Sequence, residues 1–132
     1  MNHWVLALIA TLLVGCGTSA SSVDPYRYTA YSWTDGDIGD MIDAWGSPKA
    51  GYREATDGTQ GYARWRAFSR TGGQGSVGVK YHCDSIAHFD TDGRITEIEI
   101  RRSDSCHRYY DDKLDSMLRP GVKPPPTART EQ

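Results

Sequence analysis

Apolar and polar residues change rhythm several times along this chain, and each rhythm predicts an element. Trp4 to Val14 is an apolar run without charge. It falls short of the roughly 20 residues of a membrane-crossing helix and matches the apolar core of a secretory signal. Residues 17–25, GTSASSVDP, are small and polar, a composition that predicts a flexible tether reaching at most about 30 Å. The segment YRYTAYSW then gathers Tyr26, Tyr28, Tyr31 and Trp33. It is expected to run extended, with its rings laid over the core or offered to a partner, since Tyr and Trp are favoured interface anchors.

From Thr34 the period becomes helical. Ile38, Met41, Ile42 and Trp45 fall at i, i+3, i+4 and i+7, one face of a helix. Thr34 is placed to cap the amide of Asp37, and Asp35, Asp37 and Asp40 put negative charge at the helix start. Gly46 suits a left-handed stop and Pro48 prevents continuation. These signals predict a helix from Asp35 to Trp45. AGYREATDGTQ reads as a loop. In GYARWRAFS, Ala63, Trp65 and Ala67 alternate with Arg64 and Arg66, which predicts a strand with Trp65 toward the helix and the arginines toward solvent or a partner. After a glycine-rich connection, SVGVKYHCD predicts a second strand, with Val77, Val79, Tyr81 and Cys83 on one face and Lys80, His82 and Asp84 on the other.

The stretch HFDTDGRITEIE, His88 to Glu99, fits two structures. Against a twelve-residue calcium loop, Asp90, Asp92, Gly93, Ile95 and Glu99 take the expected places, while His88 stands where a carboxylate is needed. That loop also requires flanking helices, and the chain on both sides reads as strand: Thr96, Ile98 and Ile100 alternate with Glu97, Glu99 and Arg101. The Asp92-Gly93 step is a turn signal, so a β-hairpin is the expectation. His82, Asp84, His88 and Asp90 share one parity. His82 and His88 would stand roughly 20 Å apart along a strand, so a polar sheet face is expected there in place of a metal site. Farther on, Tyr110, Leu114, Met117 and Leu118 are spaced for a short amphipathic helix closed by Pro120-Gly121. GVKPPPTARTEQ predicts a disordered, partly polyproline tail.

Composition narrows the function. The net charge is −2, with both signs interspersed, so no footprint for nucleic acid is visible. No serine, histidine and acid stand at readable spacing, and no phosphate cradle or zinc signature occurs. Neither catalysis nor a cofactor is expected. Three cysteines are an odd number for an exported chain. Leu13-Val14-Gly15-Cys16 resembles the bacterial lipobox, whose cysteine becomes the acylated mature N-terminus, a palmitate-type anchor. Setting Cys16 aside leaves Cys83 and Cys106 as a pair, and their disulfide would stabilise a small domain by roughly 3 kcal/mol. A tight turn at Thr91-Asp92 would put Cys83 opposite about Ile100, so the pairing needs a bulge or a returning segment.

Taken in order, Met41-Ile42, Trp45-Gly46-Ser47-Pro48, Trp65, Phe89-Asp90 and Asp92-Gly93-Arg94-Ile95 resemble the motifs of the SmpA/OmlA (BamE-like) family of small outer-membrane lipoproteins, over roughly Gly36 to Ile100. The resemblance implies an α+β fold of two layers, a three-stranded antiparallel sheet with one or two short helices on one face. The expected organisation is a removed signal peptide at 1–15, a lipidated Cys16 and tether at 16–33, the domain at 34–118 and the tail at 119–132. The expected role is a non-enzymatic, outer-membrane-anchored scaffold facing the periplasm, with an envelope protein, such as the β-barrel assembly machinery, as partner. Tyr31, Trp33, Arg64 and Arg66 are the expected contact residues. The alternatives are an inhibitor of a periplasmic enzyme and, behind it, a metal-binding envelope protein.

Overall fold

Helix and sheet divide the chain by period, and the sheet lies in the centre of the sequence. The structure, a computed structural model, describes residues 23–69 and 80–125. The segment expected to be a signal, Cys16, Val77, Val79 and residues 126–132 of the expected tail lie outside the described residues. Two helices come first, α1 (Pro25–Tyr31) and α2 (Ile38–Trp45). Strands β1 (Gly51–Arg53), β2 (Gly61–Phe68), β3 (His82–Phe89) and β4 (Ile95–Asp104) follow. They form one antiparallel sheet in the order β1-β2-β3-β4. The fold is therefore α+β in two layers, with four strands where three were expected. The extra strand, β1, is three residues long and sits inside the segment read as loop.

The aromatic stretch expected to run extended is helix α1. Its start carries a signal that the dense aromatics obscured: the Asp24 side chain accepts from the amide of Tyr26 at 2.9 Å, and Pro25 occupies the first helical position, where its missing N–H costs nothing. Tyr26, Thr29 and Ala30 are buried, so the folded unit begins ahead of residue 34. Helix α2 starts later than its aspartates suggest. Asp37, not Thr34, is the cap, accepting from the amide of Asp40 at 3.0 Å. The Thr34 hydroxyl instead donates to the Tyr31 carbonyl.

Both helices lie on one face of the sheet. Ala63 and Trp65 of β2, Ala87 and Phe89 of β3, and Ile95 and Ile98 of β4 bury against Ala30, Trp33, Ile38 and Met41. Trp65 packs on Trp45 with ring centroids 5.4 Å apart and donates its indole N–H to the Gly46 carbonyl, as its alternation with the arginines predicts. The rings continue from Trp45 to Tyr26, Tyr110, Tyr109 and Tyr81, each centroid within 5.9 Å of the next. Tyr26 closes the layer by sharing a hydrogen bond with Ser85. Burial pushes the phenols of Tyr26 and the half-buried Tyr110 up, Tyr110 to about 12, so neither ionises at physiological pH.

The β3–β4 connection is a hairpin. Gly93 adopts φ of 83°, which glycine reaches without strain, and the Asp90 carboxylate accepts from the amides of Asp92 and Arg94. Strands flank it on both sides, so the helices of a calcium hand are replaced by sheet. Two register shifts then interrupt β4, leaving Thr96 and Arg101 as extra residues. The first exchanges the expected Thr96 for Ile95 on the buried face. With the second, Cys83 stands opposite Ser103 instead of Ile100.

After β4 the chain reverses at Ser105, which adopts φ of 59°, and Cys106 returns beneath β3. The Cys83–Cys106 disulfide forms with a Cα separation of 5.7 Å, both residues buried. The expected C-terminal helix is broken into α3 (Cys106–Tyr109), a 3-10 turn (Asp111–Lys113) and α4 (Leu114–Met117). Tertiary contacts override its helical period: Tyr110 stacks on Tyr26, and the Met117 carbonyl must meet the indole N–H groups of both Trp33 and Trp45 at 2.8 and 2.9 Å. The segment after residue 118, expected to be disordered, is docked as far as it is described. Arg119 donates to the Ser32 and Thr34 carbonyls, and the Lys123 carbonyl accepts from the Tyr28 hydroxyl.

The disulfide spans 23 residues, a length for which chain entropy gives roughly 3 kcal/mol. Replacing Cys83 and Cys106 together by Ala is expected to lower the unfolding free energy by about that amount, read from urea denaturation. An unchanged midpoint would mean that the rest of the packing closes the loop unaided.

Candidate functional site

With the helices on one side, every second residue of the strands is left on the other. On β2 these are Tyr62, Arg64, Arg66 and Phe68; on β3, His82, Asp84, Ile86 and His88; on β4, Glu97, Glu99 and Arg102, by the cross-strand pairs Tyr62–His88–Glu97, Arg64–Ile86–Glu99 and Arg66–Asp84–Arg102. Among the described residues, the core that the helices form with the sheet lies on the opposite face. It is wet and charged because alternation puts the long polar side chains there, and they are held by one another.

Its anchor is Asp84, almost wholly buried in the middle of the sheet. Arg64 grips it with both arms of the guanidinium, Nε and Nη2 donating to the two carboxylate oxygens at 2.8 and 2.6 Å. This is the bidentate geometry that makes arginine–carboxylate pairs strong. Arg66 stands 4.0 Å from the same carboxylate and lies over the Phe68 ring at 5.6 Å. The Arg64 hydrogen bonds hold the Asp84 carboxyl below the usual carboxylate range, against the upward push of burial. Toward the hairpin, His88 meets Glu99 at 3.0 Å and Arg101 donates to the other Glu99 oxygen at 2.9 Å. These two contacts, His88 first, lower the Glu99 carboxyl as well. At the β1 edge Arg53 sits over the Tyr62 ring at 5.1 Å. The result is a platform of paired charges and aromatic rings, held most firmly at Arg64 and Asp84.

The expected contact residues separate into three places. Arg64 and Arg66 lie on this platform, Arg66 more exposed and Arg64 committed to Asp84. Trp33, expected at the surface, is only 2% exposed, its indole N–H held by Met117. Its burial follows from the helical path of α1, which turns Trp33 inward. Tyr31 is exposed at the end of α1, on the helical side of the molecule. There it lines a groove of about 490 Å³ with Val23, Arg27, Tyr28 and Val122, where the chain enters from its N-terminal segment. Tyr31 and the two arginines therefore do not share one surface.

Asp84 is the residue that the sequence reading placed on this face without a role. Its partner Arg64 is 20 positions away, so only strand register, not local spacing, brings them together. His82, His88 and Asp84 share the platform, but each turns to a separate neighbour: Phe68, Glu99 and Arg64. No family model, curated protein or solved structure matches the chain.

Arg64→Ala leaves a buried carboxylate with one distant partner and is expected to cost about 2 kcal/mol, whereas Arg66→Ala should stay within about 0.5 kcal/mol; urea unfolding of the two variants gives the comparison. Acid supplies a second check. Because the folded-state pKa of Asp84 is depressed, its contribution is complete above the unfolded value of about 3.9 and is lost as pH falls through the lower folded value. Asp84→Asn should therefore be less stable than the parent at pH 7 and should lose less stability between pH 4 and pH 2. Parallel curves for the two proteins would remove the linkage.

Proposed function

We propose that this chain is a lipid-anchored protein of a bacterial outer membrane, facing the periplasm and serving as a non-enzymatic scaffold or assembly partner. The observation that carries this reading is the uncovered sheet face centred on Arg64, Asp84 and Arg66. Tyr, Phe and Arg are the side chains that dominate protein–protein contacts. Here they are held by ion pairs and ring contacts before any partner arrives, so less conformational freedom is lost on docking. The lipobox cysteine, Cys16, supplies the anchor, and the few residues between it and Asp24 keep the domain close to the membrane surface. Like the SmpA/OmlA resemblance, this membrane location rests on the sequence motifs; the platform supplies the surface for a partner.

Two measurements test the reading. Cys16→Ser should move the protein from the membrane fraction to the soluble periplasm, and the parent should incorporate labelled palmitate. A photo-crosslinking residue at Phe68, which is 46% exposed at the end of the platform, should capture outer-membrane or barrel-assembly proteins in intact cells. The same probe at Tyr109, also exposed but beyond the platform, should capture them far less. Capture of one soluble periplasmic enzyme from Phe68 would make the protein an inhibitor instead, and equal capture from both sites would leave the platform without a role.

A further inference from the structure

Strand β4 ends the sheet, and its outer edge changes character along its length. At the start it is paired: the Ile95 amide donates to the Gly36 carbonyl at 2.7 Å, and the Ile95 carbonyl accepts from the Asp35 amide at 2.9 Å. From Thr96 to Asp104, among the described residues, no backbone group outside the sheet bonds to this edge. An unpaired edge of that length is a template for another strand.

The side chains along it select which strand. Glu97 and Glu99 precede Ile100, and Arg101 and Arg102 follow it. When two identical strands pair antiparallel, one runs reversed, so Glu99 before Ile100 and Arg101 after it are complementary across the axis, while Asp104 at the strand's end is hydrogen-bonded to Arg102. We propose that the outer edge of β4 is the docking site for a second copy of this chain, the two β4 strands meeting antiparallel about a two-fold axis at Ile100.

Charge fixes the register. With the axis at Ile100, Glu99 of each copy stands opposite Arg101 of the other, and the two Ile100 side chains meet each other. Moving the axis by one residue sets Glu99 against Glu99 or Arg101 against Arg101. Moving it by two sets Arg102 against Arg102, or Glu97 against Glu99. Like charges directly opposite are destabilising in a strand pair, and opposite charges stabilise it. The bulge at Arg101 and the isologous geometry also set a limit. Each copy uses its β4 edge once and the contact closes, while the other edge of the sheet is the three-residue β1, too short to continue the pairing. The product is a closed dimer with one continuous sheet, not a fibre. The Glu99–Arg101 hydrogen bond within one strand is solvent-exposed at Arg101, and a pair of that kind is weak enough to exchange for one across the axis.

The test uses the full-length chain in detergent. Light scattering should give twice the monomer mass at micromolar concentration, and Ile100→Cys should form a disulfide with its own copy on mild oxidation, whereas Arg53→Cys on the opposite edge should not. Glu99→Arg and Arg101→Glu should each weaken dimerisation by about tenfold or more, with near-ultraviolet circular dichroism confirming that each still folds. Mixed together, these two variants should form a heterodimer, because each then offers the charges that the other lacks. That restoration is beyond a purely intrachain role for the pair. A monomer at all concentrations, a dimer that Ile100→Cys does not trap, or failure of the two variants to associate when mixed would each overturn the proposal. So would capture of a different protein at Ile100 in intact cells in place of a second copy.

Discussion

Strand β3 runs eight residues and the strand paired with it, β4, runs ten. The difference is the two inserted residues, Thr96 and Arg101, and most of the molecule's architecture follows from where they fall. Each insertion turns the following side chains to the opposite face. The first lets Ile95 and Ile98 both bury, although odd spacing separates them. The second lets Ile100 remain toward the helices while Arg102 reaches the open face beside Asp84, and it carries Ser103 to the place opposite Cys83. Only from that register does the turn at Ser105 bring Cys106 within bonding distance of Cys83. The covalent link, the apolar layer and the charged platform are thus three results of one pairing scheme.

That scheme also explains how a sheet this small tolerates a buried carboxylate. Strand β3 has neighbours on both sides, so a side chain at its centre is screened from water even on the face without helices. Asp84 takes that position. Isolated, it would be costly; with the forked guanidinium of Arg64 across the ladder, both of its oxygens are satisfied. The centre of the polar layer is therefore anchored to the backbone ladder through Asp84 and Arg64. That pair, with its buried carboxylate, is what separates it from an ordinary solvated surface.

Much of this was readable from the order of residues, and the parts that were not have definite causes. The α2 stripe of Ile38, Met41, Ile42 and Trp45, the inward Trp65 and the Asp92-Gly93 hairpin all depend on periodicity or turn chemistry within a short window. Helix α1 was hidden because its rings suggested a surface, although Asp24-Pro25 gave a helix start. Strand β1 is too short for any alternation to show. The bulges leave no mark in composition, so Ile95 could not be told from Thr96 as the buried residue. The Arg64–Asp84 pair depends on register across a long connection, and the broken C-terminal helix on Trp33 and Trp45 reaching for one carbonyl. Each of these is a decision made between distant segments.

That last carbonyl, Met117, belongs to the last helix among the described residues, and it accepts from the indoles of residues 33 and 45. A carbonyl oxygen has two lone pairs, and both are used here by residues made much earlier. During synthesis both indoles are therefore made before their protein acceptor, and water meets their N–H groups until α4 arrives. The helical layer closes only when α4 has been delivered. A chain cut short before α4 would leave both indoles without their protein acceptor and the early helices without the element that helps bury them, so α4 is itself a condition for closing the helical layer.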